Sequence, residues 1–283
     1  MEIKKVGVIG CGLMGSGITQ LCAQSGYQVV VTEVSRELLD KGLKSIDHFM
    51  SRAIEKGRMS QADKEAALSR IKSSVDMNDF ADSDLVIEAV VENMDLKKDI
   101  FAKLDKICPK EAILATNTSC LSIIDIASIT SKPDKVLGMH FFNPAPIMKL
   151  LELVRTVSSS DETIEIVRKF GQSLGKTMIV AKDTPGFVVN RLLIPFMLNA
   201  IRMLESGIAS REDIDTGIQL GLGHPMGPLT LTDFTGLDTT LYVADAIYQE
   251  TKDPQFIAPV LMRKMVAAGW LGRKSGKGFY DYK

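Results

Sequence analysis

One histidine and one glutamate are spaced so that a strand hairpin would bring their side chains together. His140 ends one apolar stretch, Glu152 lies within another, and Pro144 and Pro146 stand between them. If the chain reverses about Pro146, the midpoint of the two positions, an antiparallel register places His140 opposite Glu152 on one face of a sheet. An imidazole oriented by a carboxylate is suited to general base catalysis. The alternative is a strand histidine satisfied by a backbone carbonyl, but a carboxylate in so apolar a run needs a partner such as this imidazole.

A glycine-rich turn near the start of the chain has the pattern of a dinucleotide site. It follows an apolar strand pattern, precedes a helical one, and reads Gly10, Cys11, Gly12, Leu13, Met14, Gly15. Gly10 permits the tight turn, Gly12 lets the backbone approach a pyrophosphate, and Gly15 lets the helix pack on the strand. Leu13 and Met14 belong to the helix start, whose N–H groups can bind phosphate oxygens. Glycines also serve ordinary turns, and here the strand and helix on either side favour the cofactor site.

The residue after the second apolar run indicates which dinucleotide is bound. That run ends at Thr32 and is followed by Glu33, about 20 residues past the glycine turn. A carboxylate there accepts hydrogen bonds from the adenosine ribose hydroxyls and repels a 2′-phosphate, which favours NAD over NADP. Arg36 is close enough in sequence to contact a 2′-phosphate if Glu33 turns away.

Composition excludes several classes of protein. The formal charge is -1 and the basic residues are spread along the chain, so no general nucleic-acid surface is indicated. No apolar stretch is long enough to span a bilayer, and the three histidines are too dispersed for a zinc motif. We therefore expect no membrane partner, no nucleic-acid partner and no metal. The four cysteines lack CxxC spacing and no signal-peptide pattern precedes them, which predicts reduced thiols and a cytoplasmic protein.

Alternating strand and helix patterns over the first two thirds of the chain predict a largely parallel sheet. The fold class is therefore α/β: a Rossmann-like, mostly parallel sheet with an inserted helical hairpin, followed by an all-α C-terminal domain. The predicted domains are residues 1–184, binding NAD, and 185–283, a helical domain for substrate binding and dimerisation. The predicted strands and helices outside the glycine turn cover residues 28–32, 35–56, 84–90, 93–107, 112–116, 149–155, 161–174, 178–181, 237–250 and 255–268.

The helical hairpin carries two basic residues and a helix-start signal. Ser60 to Asp63 has the capping-box pattern, and Gly57 marks the reversal before it. Arg52 and Lys56 are one helical turn apart and face the same way. A solvated face is one interpretation of this pair, and a contact to a substrate phosphate is the other.

Polar residues follow two of the predicted parallel strands, where ligands of such sheets bind. Glu92 follows one strand, and Asn117 and Ser119 follow the next. For Ser119 the sequence leaves two interpretations open, a residue of an active cleft or the N-cap of the helix that begins near Ile123. In the helical domain, His224 beside Pro225 is interpreted as a loop-packing residue, because no acidic partner is evident nearby.

Several motifs together resemble the L-3-hydroxyacyl-CoA dehydrogenase family, most closely its bacterial short-chain members, the 3-hydroxybutyryl-CoA dehydrogenases. The likeness spans essentially the whole chain. Besides the glycine turn with Glu33, the motifs lie at residues 115–119, 138–144, 183–191, 223–228 and 276–280. The resemblance implies NAD as cofactor, an acyl-CoA as substrate and a homodimer formed through the C-terminal domain.

The same resemblance assigns roles to residues of this sequence. His140 takes the position of the catalytic histidine and Glu152 that of its acidic partner, while Ser119 and Asn190 take positions that contact the substrate oxygen. Lys56, beside Arg52, matches a basic contact to coenzyme A. The positions implied to line the cofactor, in addition to the glycine turn and Asn117, are Glu33, Glu92, Lys97, Ser119, Asn143 and Lys274.

The reaction implied is reversible oxidation of an (S)-3-hydroxyacyl-CoA to the 3-ketoacyl-CoA, with hydride transfer to or from NAD. His140 would act as general base or acid, oriented by Glu152. Two alternatives keep the fold. One is an NAD-dependent hydroxyacid or sugar-acid 3-dehydrogenase that does not use coenzyme A, and the other is a non-catalytic dinucleotide-binding protein.

Overall fold

The chain divides after Thr184 into two units in a computed structural model, which describes residues 1–282. The first unit has eight strands: β1 (Lys5–Ile9), β2 (Gln28–Thr32), β3 (Ile71–Ser74), β4 (Leu85–Glu88), β5 (Ile113–Thr116), β6 (Val136–Phe141), β7 (Leu150–Arg155) and β8 (Thr177–Lys182). Its helices are α1 (Leu13–Gln24), α2 (Arg36–Glu55), α3 (Gln61–Leu68), α4 (Met94–Ile107), α5 (Ile123–Ala127) and α6 (Asp161–Ser173).

The eight strands form one sheet in the order β3-β2-β1-β4-β5-β6-β7-β8. All neighbouring strands pair in parallel except β6 and β7, which are antiparallel. The central strands are fully buried and rich in Val, Ile and Leu, as expected for parallel strands covered on both faces. The strand order reverses between β1 and β4, and this is the position where doubly wound sheets bind ligands. The predicted α/β fold class is confirmed.

The helical hairpin α2–α3 is the connection between β2 and β3. The side chain of Ser35 accepts a hydrogen bond from the Leu38 N–H at the start of α2, and the capping box predicted for Ser60 and Asp63 is present at α3. β3 was not predicted, because Ile71 is its only apolar residue and it therefore lacks an alternating pattern. It is an edge strand, and it is held by parallel pairing with β2.

The second unit begins at Pro185 and contains α7 (Val189–Glu205), α8 (Arg211–Leu222), α9 (Pro228–Thr235), α10 (Leu237–Thr251) and α11 (Val260–Ala267). The helix predicted over residues 255–268 is wrong in its first half. Pro259 lacks an N–H and disfavours a helical conformation at Ala258, so α11 starts only at Val260. The helix α9 was not predicted, and it begins with Pro228 as its first residue. Among residues 1–282, no helix combines the length and apolar character needed to cross a membrane.

Candidate active site

The antiparallel pair β6–β7 brings His140 and Glu152 together. The two residues are direct cross-strand partners, as predicted, and the imidazole Nδ1 lies 2.6 Å from the Glu152 Oε2. Glu152 is fully buried and His140 is 4% exposed. Because an ionised carboxylate can only accept hydrogen bonds, Nδ1–H donates to Glu152, and the neutral ring presents Nε2 as an acceptor. The pairing thus fixes both the orientation and the tautomer of the imidazole.

Ser119 lies at the opposite side of the imidazole ring from Glu152. Its Oγ is 3.2 Å from His140 Nε2, and since that nitrogen is the acceptor, the hydroxyl donates to it. The ring of Phe142 packs at a tilt against the imidazole, with 4.6 Å between centroids. Glu152, His140 and Ser119 therefore form one hydrogen-bonded series across three neighbouring parts of the sheet.

The start of α5 resolves the two interpretations of Ser119. Ser122 is the N-cap residue and makes no side-chain cap, while the Asp183 carboxylate accepts from the N–H groups of Ile123 at 3.2 Å and Ile124 at 2.7 Å. The interpretation of Ser119 as a helix cap is wrong, because a carboxylate from the end of β8 takes that role and the Ser119 hydroxyl faces His140. Burial raises the pKa of Asp183, and the two backbone hydrogen bonds oppose that shift.

A second polar cluster supports the loop that carries Ser119. Glu92 Oε1 accepts from the Ser119 N–H at 2.7 Å and from the Thr118 hydroxyl at 2.5 Å. Lys97 is 1% exposed, and its Nζ lies 3.1 Å from Glu92 Oε2 and 2.7 Å from Glu88 Oε1. The structure thus brings Glu92, Lys97 and Ser119, which were predicted separately, into one connected group.

The two asparagines predicted to line the cofactor differ in their surroundings. Asn117 is half-buried and its Oδ1 accepts from the Phe141 N–H at 2.9 Å, which links the end of β5 to the end of β6. Asn143 is exposed in the β6–β7 connection, where it precedes a cis bond to Pro144. That connection is held by Lys176, whose buried ammonium donates to the carbonyl oxygens of Ala145 and Met148 at 2.5 and 2.6 Å.

The glycine turn between β1 and α1 fits a bound dinucleotide. Gly10 has φ +89°, and a Cβ on Gly15 would collide with the Gly10 carbonyl oxygen, so these positions require the turn and the close helix packing that the pattern predicts. A Cβ on Gly12 would meet no atom of the described residues within 4 Å. Gly12 is also the N-cap of α1 and offers no side-chain cap. The helix N-terminus at Leu13 and Met14 is therefore available to phosphate oxygens.

Glu33 lies next to this turn. Its Oε2 accepts from the Cys11 N–H at 2.9 Å and its Oε1 from the Val34 N–H at 2.7 Å, which leaves each oxygen a further lone pair for a ribose hydroxyl. The guanidinium of Arg36 pairs with Asp40 at 2.9 Å. Burial, and then the charge of Glu33, raise the pKa of the Cys11 thiol to about 12, so this cysteine stays protonated at neutral pH.

The remaining predicted site residues lie elsewhere in the two units. Arg52 and Lys56 are exposed at the C-terminal end of α2 in the first unit. Asn190 lies in the first turn of α7 in the second unit. Lys274, also in the second unit, follows Gly272 in a 3₁₀ turn and pairs with Asp238 at 2.6 Å. His224 is exposed, with its ring 5.8 Å from that of Phe196.

Sequence reasoning missed three charged residues that hold the site together: Glu88 and Lys176, which are buried, and Asp183, which is half-buried. A signal was present for Glu88, because it stands in an apolar strand pattern just as Glu152 does and needs a partner for the same reason. No comparable signal marks Lys176, whose partners are backbone carbonyl oxygens about thirty residues earlier in the chain.

Comparison with known proteins places this geometry in a family. A model of the NAD binding domain of 3-hydroxyacyl-CoA dehydrogenase matches residues 5–184, and a model of the C-terminal domain of the same enzyme matches residues 186–282. A protein of Deinococcus radiodurans named "Probable 3-hydroxybutyryl-CoA dehydrogenase" is 48% identical over 98% of this chain and 100% of its own. The 3-hydroxybutyryl-CoA dehydrogenase of Mycobacterium tuberculosis is 44% identical over 99% of both chains.

A solved structure agrees with these matches. The crystal structure of (S)-3-hydroxybutyryl-CoA dehydrogenase from Ralstonia eutropha superposes with a TM-score of 0.96 at 46% identity, over 100% of both chains. Both the sequence and the fold are thus shared along the full length of the chain. The chain belongs to the 3-hydroxyacyl-CoA dehydrogenase family, and it is an NAD-dependent oxidoreductase of that family with its NAD-binding domain over residues 5–184.

Proposed function

We propose that the chain interconverts (S)-3-hydroxybutyryl-CoA and acetoacetyl-CoA, with His140 as general base and acid. The observation that supports this most directly is the series Glu152–His140–Ser119, in which a buried carboxylate orients an imidazole whose Nε2 faces a hydroxyl. The relatives described above carry the name 3-hydroxybutyryl-CoA dehydrogenase, and they match over nearly the whole chain.

In the oxidative direction, Nε2 of His140 accepts the proton of the substrate 3-hydroxyl. Glu152 stabilises the imidazolium that forms, because its carboxylate is 2.6 Å from Nδ1. Ser119 holds the reacting oxygen. In the reductive direction, His140 returns the same proton to the carbonyl oxygen. NAD, when bound, supplies the hydride acceptor or donor.

The residues proposed to hold NAD are those of the glycine turn with Glu33, together with Glu92, Asn117, Ser119 and Asn143. Two features of the turn support this, the open position at Gly12 and the lone pairs left on Glu33. The ammonium of Lys97 is buried between Glu88 and Glu92, so its proposed part is to hold Glu92 in place. A carboxylate at the ribose position disfavours a 2′-phosphate, so we propose NAD(H) in preference to NADP(H).

A steady-state comparison of substrates tests the proposed function. We expect the purified chain to oxidise NADH rapidly with acetoacetyl-CoA, and to show a far lower kcat/KM with free acetoacetate or with NADPH. Equal activity with the free acid would favour a dehydrogenase that does not use coenzyme A, and no NADH oxidation with either would favour a non-catalytic protein. A comparison of acyl chains of four, six and ten carbons measures the chain-length preference, since one methylene contributes about 1–3 kcal/mol in an apolar pocket.

Arg52 and Lys56 are proposed to contact the phosphates of coenzyme A. Both are exposed, so each charge should contribute little, and we expect Arg52→Gln and Lys56→Gln each to raise KM for acetoacetyl-CoA about two- to fivefold. The increase should shrink at high salt, and KM for NADH should not change. Lys169→Gln removes an exposed charge from α6 and serves as the control. An unchanged KM for acetoacetyl-CoA in the variant that carries both substitutions would support the other interpretation, in which this pair only faces solvent.

We also propose that the chain forms a homodimer through its second unit. This unit exposes several large apolar side chains, which a partner subunit would cover: Leu192, Leu220, Leu222, Phe234, Val260 and Trp270. Sedimentation equilibrium of the full chain gives the mass that tests this, and a monomer at micromolar concentration would contradict it.

A further inference from the structure

Glu88 is a buried carboxylate at the end of β4 that the proposed mechanism does not use. It is fully buried, and its two oxygens accept four hydrogen bonds. Oε1 accepts from the Val90 N–H and from Lys97 Nζ, both at 2.7 Å. Oε2 accepts from Lys97 Nζ at 2.9 Å and from the Thr116 hydroxyl at 2.7 Å. A charge buried this completely must be offset by such contacts, and two of the four come from a single lysine.

One set of these contacts leads to the Ser119 loop through Thr116. The Thr116 hydroxyl donates to Glu88, so its oxygen lone pairs face away from that carboxylate. The N–H of Thr118, the residue before Ser119, donates to the same hydroxyl oxygen at 3.3 Å. Glu88 therefore orients the Thr116 hydroxyl, which accepts a hydrogen bond from the backbone of this loop.

A second set leads to the same loop through Lys97 and Glu92. Lys97 has three N–H donors, which are directed to both oxygens of Glu88 and to Glu92 Oε2. Glu92 Oε1 in turn accepts from the Ser119 N–H and the Thr118 hydroxyl. Two carboxylates thus share one buried ammonium, and the position of Glu92 depends on where Glu88 holds that ammonium.

The negative charge of Glu88, as well as the placement of its oxygens, determines where the Lys97 ammonium lies. If Glu88 becomes neutral, Lys97 is left with Glu92 as its anionic partner in a buried site, and its ammonium is no longer drawn toward an opposing carboxylate. The Glu92 oxygens are then drawn toward Lys97 and away from Thr118 and Ser119. The side-chain amide of a glutamine would also place a donor against Lys97 or the Thr116 hydroxyl, both of which donate to Glu88.

We propose that Glu88 is a positioning residue that holds Ser119 against the His140 imidazole, acting through Thr116 and through the Lys97–Glu92 pair. The proposal rests on the proposed function, in which Ser119 holds the reacting oxygen. Glu88 itself does not face that oxygen, since its carboxylate is buried at the end of β4 and is occupied by the four contacts named above.

A double-mutant cycle distinguishes positioning through Ser119 from a general structural role. We expect Glu88→Gln to lower kcat about tenfold in the wild-type background but less than twofold in a Ser119→Ala background, because residues that act as a unit are not additive. Asp84→Asn is the matched control: Asp84 precedes the same strand at its other end, and its carboxylate accepts from the N–H groups of Lys4 and Lys5. This variant should lower Tm and leave kcat unchanged.

Amide hydrogen exchange of the ligand-free chain gives a second measurement that does not involve turnover. The Ser119 N–H donates to Glu92, so in Glu88→Gln we expect it to exchange about tenfold faster, and in Asp84→Asn at the wild-type rate. If Glu88→Gln does not fold, Thr116→Val removes the Thr116 contacts alone, and Thr116→Ser, which keeps the hydroxyl, is its control. Thr116→Val should then show the same coupling to Ser119→Ala, and Thr116→Ser should retain nearly wild-type kcat.

Equal fold-changes in the two backgrounds, or an unchanged kcat and an unchanged Ser119 exchange rate in Glu88→Gln, would overturn the proposal. If the wild-type enzyme reduces acetoacetyl-CoA, such a result contradicts only the role of Glu88 and leaves the proposed function standing. A wild-type chain that does not oxidise NADH with acetoacetyl-CoA would instead contradict the proposed function.

Discussion

Replacing His140 by alanine should lower kcat for acetoacetyl-CoA reduction by about 10²–10⁴-fold, the usual contribution of a positioned general acid or base. The imidazole is the group that the structure presents to the Ser119 hydroxyl, and Glu152 holds it in one tautomer. KM for NADH should change little, since the proposed NAD contacts are made by other residues. Steady-state kinetics with each substrate varied in turn measures both values.

His224→Ala is the matched control for this variant. His224 is exposed in the second unit beside Phe196, and its loss should leave kcat unchanged. A His140→Ala enzyme that turns over within a few-fold of wild type, with Tm showing that it is folded, would remove His140 from the mechanism.

Glu152→Gln should lower kcat by about 10²–10⁴-fold while leaving the side-chain volume almost unchanged. A glutamine amide can donate to Nδ1 as well as accept from it. When it donates, the proton of the neutral imidazole moves to Nε2, which then cannot accept the substrate proton. The neutral amide also no longer stabilises the imidazolium, so the pH–rate profile should differ from that of the wild type.

Glu165→Gln, which removes an exposed carboxylate from α6, is the control for the lost charge. Its kcat and its pH–rate profile should match the wild type. If Glu152→Gln changes neither turnover nor the profile, Glu152 serves only to satisfy a buried imidazole. Because Glu152 is fully buried, Tm must be measured in parallel to separate lost stability from lost turnover.

The His140–Glu152 pair could be predicted because it depends on short-range geometry. The two positions are twelve apart in the sequence with a proline-bounded turn between them, and one antiparallel register aligns them. A slip of one residue would turn Glu152 to the other face of the sheet, away from His140. The glycine turn was predictable for a similar reason, since Gly10, Gly12 and Gly15 all act within one strand–turn–helix segment.

Other parts of the site could not be predicted, because their partners are distant in sequence. Asp183 caps α5 from about sixty residues away, whereas the sequence had left Ser119 open as a candidate for that role. Lys97 was expected at the cofactor from resemblance alone, and the structure shows its ammonium between Glu88 and Glu92. β3 lacks an apolar pattern and exists through its backbone pairing with β2.

The sequence by itself determined the fold class, the glycine turn with Glu33, and the pairing of His140 with Glu152. Each of these follows from periodicity, turn chemistry or spacing within a few dozen residues, where the chain has few ways to arrange itself. Only the tertiary structure decided which charged side chains share partners, because hydrogen bonds such as those of Glu88 to Thr116 and of Asp183 to the start of α5 form between segments that the folded sheet brings together. Strand order depends on the packing of the whole sheet, and no local stretch of sequence encodes it.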